Sequence, residues 1–199
     1  IASYNFQVAF GAILPNCSGC YTDGAIDGTD WVRKVRQSYY NQFGQTMIVD
    51  VYNVHLYGPP TDQGYQYLVN AVTQFRNAMA NEWNARDKPL IVTEIGVRET
   101  VSWDASVSHL NRMMDYLGSA ADPNTGYPQD SNKLVQRWAW FTDVRPSYAN
   151  GTYWYYTNLY ESLNNRTVLG NAYARLPLHC AQRILRGALQ VRRIRARRR

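Results

Sequence analysis

The chain is short of cysteine, histidine and long apolar runs, and each shortage excludes a class of protein. Its 199 residues include three cysteines and three histidines, and neither a second CxxC nor an HxxxH pair is present to complete a four-ligand zinc site. No run approaches the roughly eighteen apolar residues that a transmembrane helix needs. No glycine-rich phosphate-binding loop occurs. We therefore expect no metal, no cofactor and no membrane partner.

Acidic residues are missing from the end of the chain. All 15 Asp and Glu precede residue 176, and residues 1–175 together carry a net charge of −2. Eight arginines between Arg183 and Arg199 bring the net charge of the whole chain to +6. A globally basic protein would suggest a nucleic-acid partner, but here the body is slightly acidic and one end is a basic appendage. We expect residues 1–176 to form one partial catalytic domain with no nucleic-acid partner. Residues 177–199 form a basic tail, either disordered or the product of a reading-frame slip, although such an arm can also bind polyanions.

The two clustered cysteines lie in a stretch typical of a loop. Cys17 and Cys20 are flanked by Pro15 and separated by Ser-Gly, which favours a local disulfide and leaves two free thiols as the alternative. Three triplets fit the N-glycosylation sequon, at Asn16, Asn150 and Asn165. These features point to a secreted protein. Because the chain opens with Ile1 and no secretory leader pattern, we expect a mature product or an excerpt.

Strand-like and helix-like segments alternate along the chain. The strand-like runs are 6–14, 47–57, 88–97 and 134–143, and helical spacing covers 30–43, 65–83, 106–117 and the end of 158–176. For the first helix, Thr29 or Asp30 is the expected N-cap and Gly44 the expected stop. With 45% hydrophobic residues, the chain can bury one core. The alternation predicts an α/β fold with four parallel strands.

Polar and aromatic side chains mark the ends of three of these strands. They are Asn53, His55, Tyr57, Glu94, Trp138 and Trp140. The first three are spaced by two, so they share one face of a strand, and the two tryptophans likewise share a face. A carboxylate in an apolar strand is costly to bury without a partner, so Glu94 indicates function rather than structure. An acid, an imidazole, a phenol and indoles at one rim suit a carbohydrate site.

Three segments in order carry a resemblance to a known family. VDVYNVHLY at 49–57, KPLIVTEIG at 88–96 and RWAWF at 137–141 resemble strands six, seven and eight of a clan A retaining glycoside hydrolase, of the alkali-sensitive-linkage type of glycosyl hydrolase catalytic core. The first strand-like run would then be strand five. The resemblance implies the C-terminal half of a (β/α)8 TIM barrel.

The resemblance also implies roles for the marked residues. Glu94 matches the catalytic nucleophile of strand seven, which forms a glycosyl-enzyme in the hydrolysis of a β-linked polysaccharide or oligosaccharide. His55 and Tyr57 match positions that bind sugar hydroxyls or orient the nucleophile, and Asn53 lies beside them. Trp140 matches a platform under the sugar, with Trp138 as a second candidate.

The acid/base glutamate of the family is not found in the chain. It follows an asparagine at the end of strand four, before the first strand present here. Glu82 follows an asparagine but ends a helix, and Glu99 and Glu161 match no acid/base position. We therefore expect the missing N-terminal barrel half as a partner, and little activity from this chain alone. The alternative is a non-catalytic carbohydrate-binding protein with an aromatic rim.

Overall fold

A parallel sheet lies at the centre of the protein. The structure, a computed structural model, describes residues 7–21, 24–98, 102–142, 155–162 and 164–176; the predicted tail 177–199 lies outside these ranges. The sheet has the spatial order β1-β2-β3, and its strands are β1 (Tyr52–Gly58), β2 (Leu90–Val97) and β3 (Arg137–Trp140). A small antiparallel hairpin of β4 (Tyr160–Ser162) and β5 (Asn165–Arg166) follows. The α/β class and the parallel pairing are confirmed.

Within the part of the chain that the structure describes, four α-helices alternate with these strands. They are α1 (Gly28–Phe43), α2 (Asp62–Asn81), α3 (Trp103–Ser119) and α4 (Val168–Arg175). Each begins where a side chain accepts a backbone N–H: Asp27, Thr61, Ser102 and Thr167. Such caps satisfy donors that the first helical turn leaves unpaired. The predicted cap of α1 was therefore wrong by two or three residues, whereas its stop at Gly44, in the left-handed region with φ 66°, is confirmed.

The first predicted strand does not form a regular ladder. Ala9 and Ile13 make isolated parallel bridges to Val51 and Val54 of the β1 region, so the segment lies beside β1. Phe10 and Ile13 are both buried, a spacing of three that the two-residue alternation of a strand cannot satisfy. The expectation of four parallel strands is thus corrected to three strands and a bridged, irregular segment.

The two faces of the sheet differ in character. One face, which we call the core face, is buried under the helices; it carries Tyr52, Val54, Leu56, Leu90, Val92 and Ile95. On this face the Tyr52 ring contacts Phe75 of α2 edge-on, with centroids 6.1 Å apart. The other face, which we call the open face, carries the half-buried Asn53, His55 and Tyr57 of β1.

A fully buried arginine ties α2 to the sheet. Arg76 is 0% exposed, and its guanidinium donates to the carbonyl oxygens of Leu134 and Lys88 and to the side-chain oxygen of Gln136. Burial lowers the pKa of Arg76 to about 10. Lys88 lies just before β2, and Leu134 and Gln136 lie just before β3. One side chain therefore fixes the starts of two strands.

Replacing this guanidinium should destabilise the fold strongly. Arg76→Met keeps the apolar stem but leaves buried acceptors unpaired, and we expect a loss of about 3 kcal/mol of unfolding free energy. Urea denaturation followed by circular dichroism measures it. The matched control is Arg175→Met on the exposed face of α4, which should cost about 0.5 kcal/mol or less. Equal losses in the two variants would contradict the anchoring role.

A buried histidine on α3 should make stability depend on pH. His109 is 2% exposed, and burial, with a smaller contribution from the charge of Arg112, lowers its pKa from 6.5 to about 4. Between those two values the unfolded chain takes up a proton that the folded chain does not. Stability is therefore complete above the unfolded pKa and falls as the pH drops towards the folded pKa, by about 2 to 3 kcal/mol.

The variant His109→Gln removes this titration. Urea midpoints of the native chain and the variant, compared at about pH 7 and about pH 4.5, should show the larger acid-induced loss in the native chain. Carboxylates that titrate in the same range are common to both proteins and cancel in the comparison. An identical loss in both would show that His109 is not held neutral by the fold.

Candidate functional site

A β-bulge in β2 brings its polar residues to the open face. Val54 pairs with Val92 and the next residue, His55, pairs with Glu94, so Thr93 is the extra residue opposite β1. The pairing with β3 shows the same interruption between Val92 and Ile95. Bulges redirect side chains and are frequent beside active sites. Here Thr93 is exposed and Glu94 half-buried, between two residues of the core face.

The Glu94 carboxylate is held through one oxygen. The Tyr57 hydroxyl donates to Glu94 Oε2, and His55 Nδ1 lies 3.4 Å from the same atom. The side chains of His55 and Glu94 are 24% and 35% exposed, so the pair is reachable from solvent. Both contacts fall on Oε2, which leaves Oε1 as the oxygen that neither group engages. The predicted shared face of His55 and Tyr57 is confirmed, and it is the face that meets Glu94.

Two further polar side chains extend this group along the sheet. His55 Nε2 lies 3.1 Å from the Thr93 hydroxyl oxygen, and that hydroxyl donates to Asn53 Oδ1 at 2.8 Å. The predicted residue Asn53 therefore joins the group through Thr93, which the sequence analysis did not single out. We call Asn53, His55, Tyr57, Thr93 and Glu94 the Glu94 cluster.

A cavity of about 190 Å³ opens beside the Glu94 cluster, between β1, α2 and the loop after the first segment. Its wall includes His55, Tyr57, Asn16, Cys17 and Tyr67. The loop carries the Cys17–Cys20 disulfide, as the loop composition favoured. It is fastened to α2, since the Asn16 side-chain amide donates to the Tyr67 carbonyl and the Tyr67 hydroxyl donates to the Asn16 carbonyl.

Comparison with known protein families gives one match over most of the chain. Residues 6–173 match the model of the glycosyl hydrolase catalytic core. The chain belongs to this family. The family expectation drawn from the three ordered motifs is confirmed at this level. Comparison with the curated proteins gives no match.

Three solved structures share the fold of this glycosyl hydrolase catalytic core chain. They are GH128 endo-β-1,3-glucanases from Sorangium cellulosum (TM-score 0.58, 19% identity), Pseudomonas viridiflava (0.57, 18%) and Lentinula edodes (0.52, 16%). They cover 86%, 86% and 83% of this chain. The chain spans 55% of the length of each, so it corresponds to about half of these proteins.

The two predicted tryptophans lie on the other side of the sheet. Trp138 pairs with Val92 and Trp140 with Ile95, both on the core face. Trp138 Nε1 contacts Met114 Sδ of α3 at 3.1 Å, and Trp140 Nε1 donates to the Thr157 carbonyl at 2.9 Å. Their shared face is confirmed, but the structure does not bring them together with Glu94. Their expected contact with sugar therefore has no support from this placement.

An aromatic residue that the sequence analysis missed does approach the cluster. The Phe141 ring lies 5.7 Å from the Tyr57 ring, edge to face, directly after β3. The alternation of a strand could have predicted this position. If Trp138 and Trp140 share the core face, Phe141 belongs to the open face. Phe141, and neither predicted tryptophan, is therefore an aromatic neighbour of the Glu94 cluster.

The remaining described glutamates are engaged elsewhere. Glu82 forms an ion pair with Arg33, at 2.5 Å, which lowers the pKa of its carboxyl through the hydrogen bond. Glu161 accepts from the Asn165 amide in the β4–β5 hairpin, and Glu99 lies outside the described residues.

Within the described ranges, no group of three or more His, Cys, Asp and Glu is placed to hold a metal ion. The helices in those same ranges are too short or too polar to cross a bilayer.

Close packing at the end of β2 requires a glycine two residues after Glu94. Gly96 pairs with Tyr57, and a Cβ there would lie 2.5 Å from the Phe141 carbonyl oxygen and 2.6 Å from Thr157 Oγ1. The Thr157 hydroxyl donates to that carbonyl oxygen and accepts from the Val97 amide. An added methyl group would push this turn away from the strand.

Gly96→Ala should therefore destabilise the chain by about 2 kcal/mol, through overpacking against backbone. Gly118→Ala is the matched control, because its Cβ would meet only the Trp138 ring edge at 3.9 Å and it lies in helix α3. There alanine should stabilise by about 0.5 to 1 kcal/mol. Thermal unfolding of the two variants should give shifts of opposite sign, and shifts of the same sign would contradict the packing described.

Proposed function

We propose that this chain carries the nucleophile of a retaining glycoside hydrolase that acts on β-glucans, with Glu94 as that nucleophile. The observation that supports it is the Glu94 carboxylate on the open face, held at Oε2 by Tyr57 and His55. A donor hydroxyl and an imidazole on one oxygen fix the carboxylate and leave Oε1 to react.

The reaction has two balanced steps. Glu94 Oε1 attacks the anomeric carbon, the bond from that carbon to the leaving oxygen breaks, and an acid protonates the leaving oxygen. Water, deprotonated by the same group acting as base, then attacks the anomeric carbon, and the bond from that carbon to Glu94 Oε1 breaks to return the carboxylate. Tyr57 holds Oε2 by a hydrogen bond, with the His55 ring packed against the same oxygen, so the carboxylate does not rotate between the two steps.

We infer that the acid/base comes from a part of the protein outside this chain. Glu82 and Glu161 are engaged elsewhere, and the chain spans 55% of the length of its structural neighbours. We propose that the sheet is the C-terminal half of a (β/α)8 barrel and that its open face is covered by the other half, which supplies the acid/base. The polar Glu94 cluster then lines the barrel mouth, where such enzymes place their chemistry.

The neighbours favour β-1,3-glucan as the first substrate to test. Three solved structures with this fold are described as endo-β-1,3-glucanases. A carbohydrate is the partner that the family implies. We also propose an extracellular location, which the Cys17–Cys20 disulfide supports because disulfides persist in oxidising compartments. The alternative of a purely binding protein with an aromatic rim is less well supported, because Trp138 and Trp140 lie on the core face.

A mechanism-based label tests the nucleophile without the missing acid. A 2,4-dinitrophenyl 2-deoxy-2-fluoro-β-glycoside of a β-1,3-linked glucose disaccharide has a leaving group that needs no proton, so Glu94 alone can form the stable ester. We expect the mass of one fluorinated disaccharide on the tryptic peptide 87–98, whose one glutamate is Glu94. Glu94→Gln should abolish the label, a loss of at least about 1000-fold in rate.

Glu82→Gln serves as the matched control, since Glu82 lies beyond α2 in an exposed ion pair. It should label at the native rate. Labelling that persists in Glu94→Gln, or that falls on another peptide, would remove Glu94 from the role of nucleophile. No adduct at all in the folded native chain would defeat the proposed function for this chain as it stands.

A further inference from the structure

The hydrogen bonds around Thr93 have a direction that follows from their chemistry. Asn53 Oδ1 carries no proton, so at 2.8 Å the Thr93 hydroxyl is the donor. A threonine hydroxyl has one proton, and this contact uses it. At the contact with His55 Nε2, 3.1 Å away, the Thr93 oxygen can act only as an acceptor. His55 Nε2 must therefore carry a proton.

The other ring nitrogen of His55 faces the carboxylate. With Nε2 protonated and bonded to Thr93, Nδ1 is the remaining nitrogen, and it lies 3.4 Å from Glu94 Oε2. Without Thr93, a neutral His55 would place its proton on Nδ1 and donate to Glu94, because a lone pair opposite a carboxylate oxygen is repulsive. The contact with Thr93 opposes that tautomer.

We propose that Thr93, oriented by Asn53, is a positioning residue that fixes the Nε2–H form of His55. Any proton gained or lost by His55 is then gained or lost at Nδ1, against the oxygen that anchors the nucleophile. A ring that carries a proton on both nitrogens would be a counter-charge for Glu94, whereas the neutral ring in this form is not a donor to the carboxylate. The role of this arrangement in catalysis rests on the proposed function. The protonation of Nε2 rests only on the geometry of Asn53, Thr93 and His55.

Nitrogen NMR of the full chain tests it without substrate. The chain has three histidines, so ¹⁵N-labelled imidazoles give few signals, and His55→Gln assigns the one of interest. At about pH 8, above the ordinary histidine range, we expect Nε2 of His55 in the protonated shift range in the native chain. In Thr93→Val, which keeps the shape and removes the hydroxyl, the Nε2 signal should move to the unprotonated range for most molecules.

Two further variants make the result specific. Thr93→Ser restores the hydroxyl and should restore the native spectrum. Asn53→Ala frees the Thr93 proton to turn towards His55, so its spectrum should move in the same direction as that of Thr93→Val. The signals of the buried His109 on α3 report in the same spectra that each variant is folded.

The outcomes separate this inference from the proposed function. An unprotonated Nε2 in the native chain, or a Thr93→Val spectrum identical to the native one, would overturn the inference whatever the labelling shows. A protonated Nε2 that moves in Thr93→Val and returns in Thr93→Ser supports it, even if Glu94 fails to form an adduct. In that case the proposed nucleophile is lost and the positioning role of Thr93 remains.

Discussion

One additional residue on β2 decides which side chains reach the open face. Val92 points into the core face, so in a regular strand Glu94, two residues on, would point there too and bury a carboxylate beneath the helices. The bulge at Thr93 interrupts the alternation, and Ile95 takes the next place on the core face. Both Thr93 and Glu94 are thereby left on the open face. The Glu94 carboxylate, the Thr93 hydroxyl and the His55 imidazole meet because of this single offset.

An offset at one end of the sheet is tolerable only if the other end is fixed. Arg76 meets that need, because its guanidinium binds the carbonyls of Lys88 and Leu134, just ahead of β2 and β3. The Gln136 oxygen that accepts from Arg76 also accepts from the Leu90 amide. The cation has neutral oxygens as its partners there, so the interaction depends on geometry more than on charge. The strands therefore start in a fixed register and diverge only at the bulge.

Local sequence patterns predicted the helices and one face of β1, but they did not predict the first turn of each helix. Apolar spacing located α1, α2 and α3, yet each begins two or three residues earlier than that spacing indicated, directly after the caps Asp27, Thr61 and Ser102. The first turn of a helix is polar and is held by its cap rather than by the core. A search for caps, rather than for apolar repeats, would have given these boundaries.

The errors in the site have a different physical cause. Alternation showed that Trp138 and Trp140 share a face, but not which face, and their aromatic character favoured the wrong one. The exposed Arg137 alternates with them, and a charged residue belongs on the side that reaches water. The bulge at Thr93 left no local signal, because it depends on pairing with two other strands. The cluster that contains Glu94 could be predicted residue by residue, whereas its connection through Thr93 could not.

The strength of the electrostatic interaction between His55 and Glu94 depends on what covers the open face. In this chain both side chains retain contact with solvent, so water screens the interaction. A second barrel half, as proposed, would remove that water, strengthen the interaction and raise the cost of leaving either group unpaired. A cation fixed against the carboxylate would then stabilise the charge of the proposed nucleophile. Because His55 Nε2 is bonded to Thr93, any positive charge on the ring would face the carboxylate through Nδ1.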